Sequence, residues 1–121
     1  MKLTGAEEEL MNYLWDLKKA YMKDLLDAYP EPKPAATTIS TLLKRMQEKD
    51  FVGYNSQGKS RQYFPLVSKE NYFAKHLQGL IKNFFNDSPA QFASFFAKQT
   101  QFSSQELQEL KSIIEDQIQD Q

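Results

Sequence analysis

Between Thr37 and Arg45 the chain crowds hydroxyls and positive charges together: Thr37, Thr38, Ser40, Thr41, Lys44 and Arg45. A hydroxyl can hydrogen-bond a base edge or a phosphate oxygen, and Lys or Arg neutralises phosphate. The chemistry on offer is therefore recognition of DNA rather than bond making. Thr37, Ser40 and Thr41 are the candidates for reading bases. Thr38, Lys44 and Arg45 are candidates for the backbone, as are Lys59 and Arg61 in the run Gly58-Lys59-Ser60-Arg61. Thr38 could instead serve packing, and Arg61 could pair with Asp50. An exposed Thr/Lys helix face in an arbitrary protein is often only solvated, so the elements that carry these residues have to decide.

Nothing else in the chain offers catalysis. His76 is the only histidine and lies far from any ligand-like neighbour, which makes it a surface or interface residue rather than a metal ligand. With no cysteine there is no disulfide and no thiolate site. Met11, Met22 and Met46 fall on apolar stripes, their ordinary use. The chain reads as a non-enzyme without a cofactor or metal.

Ile39, Leu42, Leu43 and Met46 recur at three and four residues, so the hydroxyl-rich stretch is the outer face of an amphipathic helix. Aromatic and polar residues then alternate on both sides of Asn55-Ser56-Gln57-Gly58, predicting two strands joined by a glycine-containing turn. Upstream, Thr4 with Glu7 is a capping-box pattern opening a helix with Leu10, Met11, Leu14 and Trp15, ending near Leu17. Ala20-Tyr21 is a candidate short strand beside the wing. A second helix carries Met22, Leu25, Leu26 and Tyr29, and Pro30, Pro32 and Pro34 stop it. The order helix, helix, helix, hairpin predicts a winged helix-turn-helix over residues 1–66.

Residues 67–121 predict a helical domain. Ser68 caps a fourth helix, Ser88-Pro89 starts a fifth, and Ser103 with Glu106 opens a sixth. Three short helices cannot bury Phe84, Phe85, Phe92, Phe95, Phe96, Leu107, Leu110 and Ile114 alone, so these are assigned to a homodimer interface. Packing back onto the first domain is the alternative. The fold class is thus mainly α with a small β wing: a winged helix plus a C-terminal helical dimerisation domain.

Net charge is −1, so the molecule as a whole has no electrostatic attraction for nucleic acid. Its distribution differs: Lys44, Arg45, Lys49, Lys59 and Arg61 outweigh Glu48 and Asp50 between Pro34 and Phe64, whereas acidic residues prevail after Val67. No apolar run is long enough for a membrane span, and the N-terminus lacks the apolar segment of a signal peptide, which places the protein in the cytoplasm.

Over nearly its whole length the chain resembles the penicillinase and methicillin-resistance repressor (BlaI/MecI) family. The stretches that carry the resemblance are Leu3-Thr4 and Ala6-Glu7 leading to Leu14-Trp15, then Thr37 to Met46, Gly58 to Ser68, Ser88-Pro89-Ala90, and Leu107 to Leu110. The resemblance implies a dimeric repressor whose winged helix binds double-stranded DNA at an inverted-repeat operator and whose C-terminal helices form the dimer. It also implies induction by a membrane sensor with a metalloprotease domain, leading to cleavage in the C-terminal domain. Relatives that are cut carry Asn-Phe at the scissile bond, whereas the matching position here is Phe95-Phe96. Copper-responsive relatives end in a cysteine cluster, and this chain has none. The alternative function is a winged-helix module that docks partner proteins without sequence-specific DNA binding.

Overall fold

The computed structural model of the protein describes residues 2–121. They form two compact units that divide between His76 and Leu77, inside a continuous helix.

In the first unit, Thr4 caps α1 (Gly5–Leu17). Its Oγ1 accepts from Glu7 N at 3.2 Å, and Glu7 Oε1 accepts from Thr4 N at 2.8 Å, closing the capping box read from the sequence. The short α2 (Met22–Ala28) stops before Pro30, and Lys33 Nζ donates to the carbonyls of Leu26, Asp27 and Tyr29, satisfying groups a helix end leaves open. α3 (Ala36–Glu48) buries Ile39, Leu42, Leu43 and Met46 against Leu10, Met11 and Leu14 of α1 and Leu25 of α2, giving one apolar core.

β1 (Val52–Gln57) and β2 (Ser60–Pro65) pair antiparallel from Val52↔Pro65 to Gln57↔Ser60. The connecting turn is therefore Gly58-Lys59, two residues tighter than the Asn55–Gly58 turn read from the alternation. Gly58 has φ 63°, a conformation that costs a side-chain-bearing residue about 1 kcal/mol or more, so the glycine draws the turn to itself. Ala20 forms a third rung: its N–H donates to Tyr63 O at 2.9 Å, and Tyr63 N–H donates back to Ala20 O at 2.7 Å. Where a short strand over Ala20-Tyr21 was expected, a single isolated bridge at Ala20 forms.

The first turns of α4 (Lys69–Phe84), capped by Ser68, complete this unit. Tyr72 is buried between Trp15 and Phe51; its hydroxyl donates to Glu8 Oε2 at 2.9 Å and accepts from Leu3 N at 3.4 Å. Trp15 Nε1 donates to Val67 O at 2.8 Å.

The second unit holds the end of α4, then α5 (Pro89–Gln99) and α6 (Ser104–Gln119). Asn86 and Asp87, both at positive φ, break the chain, Ser88 caps α5 with Pro89 at its first position, and Ser103 caps α6 in a capping box with Glu106. Phe85, Phe92, Phe95, Phe96 and Phe102 form a chain of aromatic contacts with centroids 5.3–6.0 Å apart. Neither α5 nor α6 contains a buried residue.

Candidate nucleic-acid interface

Burying one stripe of α3 fixes what its other side presents. Thr37, Thr38, Ser40, Thr41, Lys44 and Arg45 are all exposed. Thr38, for which packing was an alternative, is on this outer face. Among the described residues neither Lys44 nor Arg45 enters an ion pair. Thr41 Oγ1 donates to the Thr37 carbonyl one turn back at 3.0 Å. Its proton is thereby committed, so towards a ligand Thr41 offers lone pairs and a methyl group: it can accept from a base amine or touch a thymine methyl.

The wing holds the second group. Alternation along the strands puts Arg61 on the same face as Tyr63, opposite Tyr54 in the pairing. The Arg61 guanidinium lies 4.4 Å from the centre of the Tyr54 ring, a cation–π contact that fixes it. An Arg61–Asp50 ion pair is not formed among the described residues. Lys59 is exposed in the turn.

Lys49 leaves the positive set. It caps the C-terminus of α3, and its Nζ turns inward to Glu7 Oε1 at 2.7 Å. Glu7 is 1% exposed, and its Oε2 has no hydrogen-bond partner. Burial pushes the Glu7 carboxyl up, but the Lys49 hydrogen bond, the bonds from Thr4 and the Lys49 charge together outweigh it. The carboxyl is held below its ordinary value. The ion pair was not legible in the sequence, where Glu7 announces only a cap and its partner lies 42 residues away.

Sequence reasoning passed over Lys23 and gave Tyr21 only as part of a candidate strand; both join Lys59, Ser60, Arg61 and Tyr63 around a cleft beside the wing. Lys23 gave no local signal, because only the Ala20–Tyr63 pairing brings α2 to the hairpin. His76 is half-buried and stacks on Tyr72, with centroids 6.1 Å apart. Among the described residues no group of three His, Asp or Glu is placed to hold a metal. No helix among them is long and apolar enough to cross a membrane.

In the second unit the residues assigned to a dimer interface are open in the single chain. Phe84 is 74% exposed and Ile114 58%, Phe95, Phe96 and Leu107 are also exposed, and Phe85, Phe92 and Leu110 are half-buried. Phe102 joins this cluster through Phe96 and was missed because it stands outside any helical period.

A family model described as Penicillinase repressor matches residues 3–116. A penicillinase repressor of Bacillus licheniformis is 22% identical over 116 residues, covering 95% of this chain and 91% of the relative. An uncharacterised 16.5 kDa protein of Latilactobacillus sakei is 24% identical over 114 residues, covering 93% and 78%. Among solved structures, a MarR mutant from E. coli superposes with a TM-score of 0.52 over 97% of this chain and 79% of that one. At 9% identity this is a likeness of fold alone.

Proposed function

The chain belongs to the penicillinase repressor family, and from that premise we propose that it is a DNA-binding transcriptional repressor, acting in the cytoplasm as a homodimer on an inverted-repeat operator. The observation that carries the reading is the two-sided character of α3. One stripe is wholly given to the core, while Thr37, Ser40, Thr41, Lys44 and Arg45 stand free on the other. In this motif such a face enters the major groove, with the N-terminal residues at base edges and the flanking charges on phosphates. Thr37, Ser40 and Thr41 read bases; Thr38, Lys44, Arg45, Lys59 and Arg61 hold the backbone.

Dimerisation is supported by the second unit. A single chain leaves Phe84, Phe95, Phe96, Ile113, Ile114 and Ile118 exposed, and large exposed apolar side chains gathered in one small unit are the mark of an interaction surface. Pairing two chains through these helices sets two recognition helices about one DNA turn, roughly 34–36 Å, apart. Because the second half-site contact is then intramolecular, avidity rises by about 10²–10⁴. Proteolysis near Phe95-Phe96 after signalling by a membrane sensor would divide the interface and return each half to weak binding.

The test compares the full chain with one ending at Asn86, on an operator recovered by selection from random duplexes. The shortened chain is expected to be folded by circular dichroism, monomeric by sedimentation and at least about a hundredfold weaker on the inverted repeat. A shortened chain that binds like the full one defeats the dimer reading. Failure of the full chain to select any sequence favours the protein-docking alternative.

A further inference from the structure

We propose that the cleft between the start of α2 and the wing is a seat for one DNA backbone phosphate, with Lys23 as a contact separate from those of α3 and the wing tip; this rests on the DNA-binding reading above. The cleft has a volume of about 500 Å³ and is lined by Tyr21, Met22, Lys23, Lys59, Ser60, Arg61 and Tyr63. Three of these seven are cationic and none is acidic. None of the three cations enters an ion pair among the described residues, so they repel one another across the opening. The nearest acid in sequence, Asp24, is engaged: its Oδ2 accepts from Tyr21 N at 2.9 Å. An anion entering the cleft relieves that repulsion and meets the hydroxyl donors of Ser60 and Tyr21.

The walls are held before any ligand arrives. The reciprocal Ala20–Tyr63 hydrogen bonds, at 2.9 and 2.7 Å, tie the chain entering α2 to the middle of β2, and both residues are buried. Arg61 rests over Tyr54. Cations and hydroxyls gathered on walls already tied together suit a phosphodiester, which is recognised by position and charge rather than by sequence. The chemistry also fits a free phosphate or a small phosphorylated molecule. DNA is the better source because Lys59 and Arg61 belong at once to this cleft and to the wing.

Random-sequence duplex is the right probe, since a phosphate contact carries no sequence information. Each phosphate contact contributes about 0.9 to the slope of log Kobs against log salt, equivalent to roughly eightfold in affinity between 1 M and 0.1 M salt. With the full-length protein, Lys23→Ala is expected to lower the slope by about one and weaken binding about eightfold at 0.1 M salt, and Lys23→Arg to restore both. Lys44→Ala, run in parallel, probes α3. If it lowers the slope and Lys23→Ala does not, the cleft proposal falls and the repressor reading stands. If wild type shows no salt-dependent binding, both fall. Titration with inorganic phosphate, followed through the amide resonances of Lys23 and Ser60, covers the other source. Saturable shifts below about a millimolar, with DNA binding unmoved by Lys23→Ala, would assign the cleft to a small phosphorylated ligand and overturn the proposal.

Discussion

Replacing Lys49 by Met should destabilise the first unit by an amount that grows as pH rises. Removing one partner of a buried ion pair costs about 3–5 kcal/mol, because the other charge stays behind uncompensated. Here the Lys49 side chain is 26% exposed, so water reaches the pair, and Thr4 N–H still donates to the same Glu7 oxygen at 2.8 Å. Both discount the loss, to about 2 kcal/mol at neutral pH. In wild type the Glu7 carboxyl is held below its ordinary value, so its contribution is present above that value and fades as pH falls through the folded pKa. Without Lys49, burial is opposed only by the Thr4 hydrogen bonds, so the Glu7 pKa should rise from its wild-type position. The ionised carboxylate then contributes less to folding, and the difference from wild type grows as pH rises.

Urea unfolding followed by Trp15, the single tryptophan, reads this unit directly. The difference between wild type and Lys49→Met should be about 2 kcal/mol at pH 7.5 and smaller at about pH 3, below the ordinary carboxylate value, where mainly the lost interaction with the helix dipole remains. Glu7→Gln keeps the capping geometry without the charge, so Glu7→Gln combined with Lys49→Met should be more stable than Lys49→Met alone. A cost for Lys49→Met that is the same at both pH values, or a double variant no better than the single, refutes the buried-charge argument.

Thr41→Ala should cost about 1–3 kcal/mol on the selected operator and little on random duplex, measured by anisotropy titration. Thr41→Val, which keeps the methyl and removes the accepting oxygen, should match alanine if a base amine is read and wild type if a thymine methyl is touched. Tyr29 is buried with no partner for its hydroxyl, and burial, helped by the charge of Glu9, pushes its phenol up to about 12. Tyr29→Phe should therefore leave stability at pH 7 unchanged or raise it by up to about 1 kcal/mol. It should also remove the part of the wild-type stability that is lost as pH rises from about 10 through 12.

What could be read from the sequence was whatever depends on neighbours along the chain. The caps at Thr4, Ser88 and Ser103 stand where their side chains said, because a cap is a contract between residues three apart. The apolar stripe of α3 and its hydroxyl-rich outer face followed from period alone. Contacts made across the fold were lost. Lys49 was counted with the DNA-facing charges because nothing near it in sequence is buried and acidic, whereas the fold brings Glu7 to it. Arg61 was offered Asp50, its neighbour by charge, and instead lies over Tyr54, its neighbour across the wing. Lys23 carries no pattern along the chain, and its place beside the hairpin follows from the Ala20–Tyr63 bridge.

The second unit shows the same limit from the other side. Its helix starts were legible, yet α5 and α6 bury no residue fully, and their apolar faces stay largely open although the aromatic rings touch one another. Fully burying one such side chain contributes about 1.5–3 kcal/mol, so the proposed dimer would draw on apolar surface that a single chain leaves open. In the proposed dimer a second copy would supply the complementary surface without any further sequence, because a two-fold interface presents the same patch on both sides. The apolar pattern here would then encode how two recognition faces are joined, while the pattern of α3 encodes the face itself. On the proposed reading, a cut in the second unit should therefore end operator binding without touching a residue proposed to meet DNA.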